Sequence, residues 1–560
     1  MRKTLLGIFG CLLLALWTAS ASAAGERTLT ASCPSVSAEK VAGRWKKGNI
    51  VLSLPGFWDL TKVTLELEGS GTLYLGDQKT EIPAGVPSDL TGLTGQKLAL
   101  CDDQGRRPAN VTILQGSAVP SLFLEVDGEQ LKAVNRSKEK SITSGRAVWT
   151  EADGTVSYDG GITQLKGRGN NSFLYSKKPY QLKLESKASL SGMAKGKTWI
   201  LLAEWTDISL LRNRIVLDIS KECGLRNALG CEHADVWING NYQGLYLVTE
   251  KIQIGKDRIP IANLEKAAEQ AAGGAQDPGE LTAEKSETLP LLRYYPGIKD
   301  PEDITGGYIL TIEKFHRMRD KPLAGFRTPD GLSIRIKEPT YPSRAQALYL
   351  AGKVTELQHA LMAQDGKSPE TGKSYEEYLD TDSFALRFLI EDWCKNYDFM
   401  GGSQYLYKDS DQNDGRFYAG PSWDYDLSFG NMKDRGHAGG GAYLTSTRRT
   451  SNLYWLLDGQ ESFRAKVREL WKEAFRPAVS VLLGEAEPVG ESRVRSLDRY
   501  AEMIRASAAM NYARWGLNNA ASAREAGGGF DRSAEYLKKW ISVRTAWMDE
   551  TYGAETGSAE

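Results

Sequence analysis

The chain has 560 residues, of which 41% are hydrophobic and 25% are charged, with a formal net charge of −1. These values are typical of a globular protein of roughly two to four domains with an apolar core. The small net charge and a pI near 6.5 argue against nucleic acid or an anionic membrane surface as the main partner.

The first residues have the pattern of a secretory signal peptide. Arg2 and Lys3 precede an apolar run at 5–17, and Ala-Ser-Ala at 21–23 is a small-residue cleavage site. The alternative, an uncleaved anchor helix, requires a longer apolar run. Residues 1–23 are therefore predicted to be removed, leaving a protein that is secreted, periplasmic or at the cell surface, without stable membrane insertion.

Export permits disulfide bonds among the five cysteines that follow the signal peptide. Cys33–Cys101 and Cys223–Cys231 are the candidate pairs, with Cys394 left as a buried apolar side chain. The alternative is five free thiols. The four histidines are scattered and no C-x-x-C motif occurs, which argues against a zinc site.

Residues 24–117 predict an all-β, sandwich-like accessory domain. Short strand-like runs at 50–54, 62–67 and 97–100 alternate with turn residues and carry no catalytic pattern. The domain is expected to pack on the rest of the chain, and the alternative is that it binds a surface or a glycan.

The next unit begins near residue 118 with a strand at 121–126. Asp-Gly at 127–128 and Asn-Gly at 239–240 are predicted hairpin turns, the second being the stronger signal. Residues 262–303 are rich in Ala, Glu, Gly and Pro and predict a mobile insertion.

A candidate anion site lies in a turn between two strand-like runs. The turn consists of Gly167, Arg168 and Gly169, and glycines let backbone N–H groups approach an anion closely. Lys166 adds positive charge, and Lys183 on the return strand is placed to reach back to a phosphate. The alternative is an ordinary hairpin with a solvated polar face.

Two other motif-like segments are rejected. Residues 192–198 almost spell a Walker A loop, but the segment is one residue short and precedes a strand instead of following one. An S-x-x-K at 37–40 has no S-D-N or K-T-G partner, and no G-x-S-x-G occurs, so a hydrolase has little support.

Several carboxylates follow a predicted apolar helix at 383–396. Asp398 lies between this helix and a glycine-rich turn, and Trp-Asp-Tyr-Asp at 423–426 follows a polar hairpin. This arrangement suits a magnesium–phosphate site, in which one carboxylate orients the attacking hydroxyl and another binds the metal. The alternative is that these aspartates cap turns.

Taken together in chain order, seven segments resemble the CotH family of spore-coat and secreted kinases, over roughly residues 119–480. The segments are KGRGNNS, KKPYQLKLE, WILLAEWTDISLLRNRI, DVWINGNYQGLYLVTEKI, GGYIL, NYDFMGGSQYLYKD and PSWDYDLSFGN. The resemblance implies an α+β fold with a two-lobed, atypical protein-kinase-like domain at 118–480. A helical extension is predicted at 481–560.

The resemblance also implies an activity, the transfer of the ATP γ-phosphate to protein hydroxyls with Mg²⁺ or Mn²⁺. The implied residues are catalytic Asp398 and Asn396; nucleotide-binding Lys183, Arg168, Gly167, Gly169 and Lys166; and metal-binding Asp424, Asp426, Ser403 and Gln404. It leaves open which of Asp424 and Asp426 is the main metal ligand. The implied partner is a protein substrate or a cell-surface protein, not nucleic acid.

The sequence departs from the kinase pattern at two positions. Ser403 stands where a kinase catalytic loop has a second metal ligand, Asn, and Ser172 stands where a third glycine would be. The alternative function is therefore a weak or inactive pseudokinase that serves as a surface, assembly or binding protein.

Overall fold

The computed structural model describes residues 28–46, 48–68, 71–74, 80–102, 104–107, 109–432, 439–516 and 528–554. The predicted signal peptide at 1–23 lies outside these ranges. Within them, no helix is long and apolar enough to cross a membrane.

The protein is mixed α/β. Its strands are β1 Thr28–Ser32, β2 Lys40–Ala42, β3 Arg44–Lys46, β4 Asn49–Leu54, β5 Val63–Glu68, β6 Thr72–Tyr74, β7 Glu81–Ile82, β8 Pro87–Ser88, β9 Lys97–Cys101, β10 Ala109–Gln115, β11 Ser121–Glu125, β12 Ser141–Ile142, β13 Arg146–Thr150, β14 Val156–Gly167, β15 Tyr180–Ala188, β16 Gly196–Leu202, β17 Cys231–Ile238, β18 Asn241–Glu250, β19 Thr282–Glu284, β20 Leu291–Tyr294, β21 Tyr308–Ile312, β22 Gly325–Arg327, β23 Ser333–Glu338, β24 Gln404–Lys408 and β25 Phe417–Ala419. Its α-helices are α1 Gly128–Arg136, α2 Arg212–Glu222, α3 Leu264–Ala272, α4 Phe315–Asp320, α5 Arg344–Met362, α6 Thr381–Cys394, α7 Asp411–Asp414, α8 Leu453–Asp458, α9 Glu461–Leu470, α10 Arg476–Leu483, α11 Leu497–Trp515 and α12 Gly529–Met548.

The largest sheet contains a closed ring of strands. Its order is β16-β15-β14-β13-β11-β17-β18-β2-β1-β5-β8, with β12 on β14, and a further pairing of β16 with β18 closes the ring. Large apolar side chains such as Trp149 and Trp199 fill the interior. In β15, Tyr180, Leu182 and Leu184 are buried as the alternation predicts, which leaves Lys183 on the outer face of the ring.

The N-terminal region is rich in strands, as predicted. A six-stranded sheet in the order β3-β4-β10-β9-β6-β7 lies beside β1, β2, β5 and β8, which join the large sheet. The apolar core of this region also includes Phe123, Trp237 and Met510 from later in the chain. The region is therefore packed on the rest of the protein.

A third sheet and most of the helices form the remaining core. The sheet order is β19-β20-β22-β23-β21-β24-β25. Apolar side chains of α2, α5, α6 and the C-terminal helices share one large cluster with it. Residues 262–303, predicted as a mobile insertion, contain α3, β19 and β20.

Two aspartates act differently from the sequence prediction. Asp127 does not form a hairpin turn, because its side chain accepts a hydrogen bond from Gln130 N at 2.8 Å and caps α1. Asp207 precedes an apolar-periodic segment, and the sequence predicts that it caps a helix starting at Ile208. Its carboxylate instead accepts bonds from Ser209 N and Arg212 N, so α2 starts later.

The predicted disulfide pairs are wrong, and the alternative of free thiols is confirmed. Cys33, Cys101, Cys223, Cys231 and Cys394 are all buried and free. Cys223 and Cys231 lie in different environments. Cys223 Sγ is 3.7 Å from Ala474 O, and Cys231 Sγ is 4.0 Å from Asp218 Oδ1. Burial raises the pKa of the Cys231 and Cys394 thiols, which keeps them protonated.

Candidate active site

Three aspartates from two segments converge at one place. Asp398, Asp424 and Asp426 each offer a carboxylate oxygen, and these oxygens all lie within 4.8 Å of one another. The three side chains are half-buried. Such a group of oxygen ligands suits a hard divalent cation.

Helix α6 brings Asp398 to the cluster. Asp380 caps the helix by accepting a bond from Ser383 N at 3.0 Å, and the side chains of 383–394 are all buried. The helix ends at Lys395, whose φ of 45° is left-handed. Asp398 then starts a short 3₁₀ turn at 399–401.

Asn396 connects the two aspartate segments. Its side-chain oxygen accepts a bond from Asp398 N at 3.1 Å, and its Nδ2 donates to Asp424 O at 3.0 Å. The side chain is fully buried. Asn396 therefore fixes the spacing of the two aspartates through their backbones.

Helix α2 supports the second segment. Asn213 Oδ1 accepts a bond from Tyr425 N at 2.7 Å, and Arg212 Nε donates to Ser428 O at 3.0 Å. Asp424 has a φ of +74°, which is rare for a residue other than glycine. These contacts, with the bond from Asn396, stabilise that unusual backbone conformation.

A buried charged network supports the same segment from α6. Arg387 Nη2 and Glu391 Oε1 are 2.9 Å apart, and both side chains are at most 1% exposed. Tyr425 OH donates to Glu391 Oε1 at 2.6 Å, and Arg387 also donates to Ser422 Oγ at 2.7 Å. The residues on both sides of Asp424 are therefore attached to α6.

Burial, together with the charge of Asp424 on its two neighbours, raises the pKa values of the three aspartates. Burial, followed by the negative charge of Asp424, raises the pKa of Asp398 to about 6. Burial also raises the pKa of Asp424 and Asp426, and the charge of Asp424 adds to the effect at Asp426. Thr206 Oγ1 donates a hydrogen bond to Asp426. A divalent cation would relieve this repulsion.

Arg168 faces the cluster from the ring of strands. Its guanidinium lies 5.0 Å from the centre of the Trp423 ring. Its positive charge opposes the burial that raises the pKa of Asp424. The turn at Gly167–Gly169 thus places a cation beside the aspartates.

Two further cations at the site were missed by the sequence analysis. Lys314 and Arg317 both lower the pKa of Asp398, against the larger effect of burial. Arg317 Nη1 donates to Gly401 O at 2.6 Å. They follow β21, which pairs with β24 so that Ile312 lies opposite Gln404. That pairing joins segments about 90 residues apart, and local sequence patterns do not predict it.

Comparison with known families identifies the group to which the site belongs. The family model described as CotH kinase protein matches residues 165–548, which is more than half of the chain. The chain belongs to the CotH kinase protein family. Among curated proteins, none matches it. The matched range contains every candidate site residue and extends through α11 and α12, beyond the 119–480 estimated from the motifs.

The glycine turn of this CotH family protein is shaped by packing. A Cβ on Gly167 would lie 2.1 Å from the Phe173 ring, and Gly169 has a φ of +88°. The backbone N–H of Arg168 donates to Pro179 O at 3.1 Å, so it is not available to an anion. The Arg168 side chain remains a group of this turn that can contact a phosphate.

A Gly167→Ala variant is expected to lose about 1–3 kcal/mol of unfolding free energy, because the added methyl overpacks against Phe173. The matched control is Gly352→Ala inside α5, where nothing lies within 4 Å of the new Cβ. This control is expected to gain about 0.5–1 kcal/mol. Urea unfolding of both variants measures the difference, and equal midpoints would contradict the packing argument.

Lys183 lines a separate basic pocket of 460 Å³ on the outer face of the ring. Lys251 also lines it, and the charges of Lys166, Lys183 and Lys337 all lower the Lys251 pKa, after the larger effect of burial. Lys337 Nζ donates to Tyr405 OH at 3.3 Å. The predicted lysines 166 and 183 therefore lie in one cationic group.

Tyr405 follows Ser403 and Gln404 in the chain and lies in β24. Its side chain lies near Arg168, whose guanidinium also interacts with Asp424. Ser403, the residue in the position of the second metal ligand, donates to Asp424 Oδ2 at 3.3 Å. Gln404 is buried at the start of β24. Ser403 is therefore in contact with the carboxylate cluster.

Proposed function

We propose that this protein is a divalent-cation-dependent kinase that transfers the γ-phosphate of ATP to protein hydroxyls. The observation that carries the proposal is the cluster of Asp398, Asp424 and Asp426, with oxygens within 4.8 Å, facing Arg168. Phosphoryl transfer requires mainly positioning and charge neutralisation, which this arrangement supplies.

The residues fit a cation between Asp424 and Asp426. Both offer carboxylate oxygens, and both have raised pKa values that a bound cation would lower. Mg²⁺ or Mn²⁺ in this position would neutralise phosphate charge. Arg168 would bind phosphate oxygens as a charged donor.

Asp398 is the proposed base. With a pKa of about 6 it is largely ionised at neutral pH and still accepts a proton readily. It would take the proton of a serine, threonine or tyrosine hydroxyl as the oxygen attacks the γ-phosphorus and ADP leaves. Lys314 and Arg317 would stabilise its charged form before the transfer.

The nucleotide is proposed to lie between the aspartates and the ring of strands. Leu202, Ile252 and Trp423 are half-buried apolar side chains that pack against one small buried cluster, and Lys251 directly precedes Ile252. An apolar surface beside a lysine group suits a base with attached phosphates. We also propose that the protein is exported, because residues 1–23 have the pattern of a signal peptide.

A second candidate is a nucleotide-binding pseudokinase that serves as a surface, assembly or binding protein. The position of Ser403 favours it, because its hydroxyl is a weaker magnesium ligand than an amide or carboxylate oxygen and already donates to Asp424.

Thermal unfolding with Mg²⁺ and ATP tests the proposed site. The wild-type melting temperature is expected to rise, because a ligand that binds only the folded state stabilises it. Asp426→Asn is expected to lose the Mg²⁺-dependent part of this shift. Without metal at pH 8, the same variant is expected to be more stable than wild type, since a raised carboxyl pKa means that ionisation costs folding free energy.

Asp382→Asn, an exposed aspartate at the start of α6, is the control and should behave as wild type. Transfer of labelled γ-phosphate to a protein separates the two candidates, since only a kinase supports it. Absence of any nucleotide-dependent shift in the wild type would refute both.

A further inference from the structure

A pocket of 360 Å³ lies where the N-terminal strands meet the ring of strands and the end of α11. It shares no lining residue with the candidate active site. Its walls include Arg44, Val51, Leu131, Asn241, Gln243 and Arg514. The volume is within the usual range for small-molecule sites.

Two arginines enter this pocket from opposite ends of the chain. Arg44 Nη1 donates to Arg514 O at 2.8 Å, and Arg514 Nε donates to Tyr242 O at 3.0 Å. The Arg514 guanidinium lies 3.9 Å from the centre of the Trp515 ring. Within the described ranges, each guanidinium is thus fixed by one hydrogen bond, and its remaining N–H groups can bind another partner.

Among the described residues, no carboxylate balances these charges. The pocket lining contains no Asp or Glu, and neither Arg44 nor Arg514 forms an ion pair there. Burial, followed by the charge of Arg44, lowers the Arg514 pKa to about 10. By contrast, Arg146 in β13 pairs with Asp159 and Glu39.

The rest of the lining combines amides with apolar surface. Asn241 Nδ2 donates to Asn239 O at 2.9 Å, and Gln243 Nε2 donates to Asn241 O at 2.9 Å. Each bond uses one N–H of the amide group, and the side-chain oxygens of Asn241 and Gln243 can accept hydrogen bonds from hydroxyls. Val51 and Leu131 add half-buried apolar contact area.

We propose that this pocket binds an acidic saccharide unit, a sugar that carries a carboxylate. The forks of Arg44 and Arg514 match the geometry of a carboxylate. The amide oxygens would accept hydrogen bonds from the sugar hydroxyls. Val51 and Leu131 would pack against the C–H faces of the sugar ring. The site gives the N-terminal strands a binding role that is independent of phosphoryl transfer.

Calorimetric titration of the full chain with D-glucuronate and with oligogalacturonate tests this assignment. Binding is expected for both, and glucose and NaCl at equal ionic strength are expected to give none. Equal binding of glucose and glucuronate would overturn the role of the arginines. Phosphate or sulfate binding without uronate binding would overturn the saccharide assignment, as would no uronate binding at all.

Arg514→Gln is expected to weaken uronate binding about tenfold or more, because it removes a charged double hydrogen bond. The control is Arg499→Gln on the same helix, where Arg499 pairs with Glu502 in solvent. Asn241→Asp supplies a second test at an exposed position, because its new carboxylate repels the anion. Unchanged affinity in a folded Asn241→Asp variant and in Arg514→Gln would refute the proposal.

Discussion

An Asp398→Asn variant is expected to bind Mg²⁺ and ATP like the wild type and to transfer phosphate about 10²–10⁴-fold more slowly. The amide cannot accept the proton of the attacking hydroxyl. It keeps the size of the carboxylate and removes one negative charge from a crowded cluster, so the fold is expected to remain intact. A single-turnover assay with labelled ATP measures the loss.

The pH dependence of the reaction gives an independent check on Asp398. Its pKa is raised to about 6, mainly by burial, and the base is active only when ionised. The wild-type rate is therefore expected to rise with pH through about 6 and then level off. The Asp398→Asn variant is expected to lack that rise. A full rate in the variant, or an unchanged pH profile, would exclude Asp398 as the base.

An Arg387→Met variant is expected to lower the unfolding free energy by about 3–5 kcal/mol. Arg387 and Glu391 are at most 1% exposed and lie 2.9 Å apart, so the change leaves a buried carboxylate without its counter-ion. The urea unfolding midpoint measures this loss. Arg468→Met, which breaks a pair between the half-buried Arg468 and the exposed Glu461, is the control and is expected to cost less than about 1 kcal/mol.

The effect of Arg387→Met is expected to depend on pH. Burial already raises the pKa of Glu391 to about 6, above its value of 4.5 in an unfolded chain, so its contribution to stability falls as pH rises. Removal of Arg387 raises that pKa further, and the destabilisation should be larger at pH 8 than at pH 5. Adding Glu391→Gln should recover part of the loss at pH 8; no recovery would contradict the charge argument.

The local sequence pattern predicted the structure correctly where that structure depends on residues close together in the chain. Alternation in β15 placed Tyr180, Leu182 and Leu184 inside the ring and Lys183 outside. The apolar stripe before Asp398 predicted a buried helix, and α6 is within two residues of the expected bounds. These features follow from side-chain periodicity, which is written directly in the sequence.

The local sequence pattern gave wrong predictions where one side chain could interact with several different partners. Asp127 followed by glycine suggested a hairpin, and the tertiary structure uses the carboxylate as a helix cap. Cys223 and Cys231 are close in sequence, yet each packs against a different element. An aspartate or a cysteine fits more than one environment, and packing selects among them.

The sequence by itself was sufficient to indicate the family and to single out Asp398, Asp424, Asp426 and Arg168 as candidate site residues. Their motifs are short, and each encodes its own local geometry. Only the tertiary structure decided that Lys314 and Arg317 face Asp398, and that Arg44 contacts Arg514 across 470 residues. These contacts depend on strand pairing and helix packing between distant segments, whose free energies are sums over many side chains and are not encoded in any one motif.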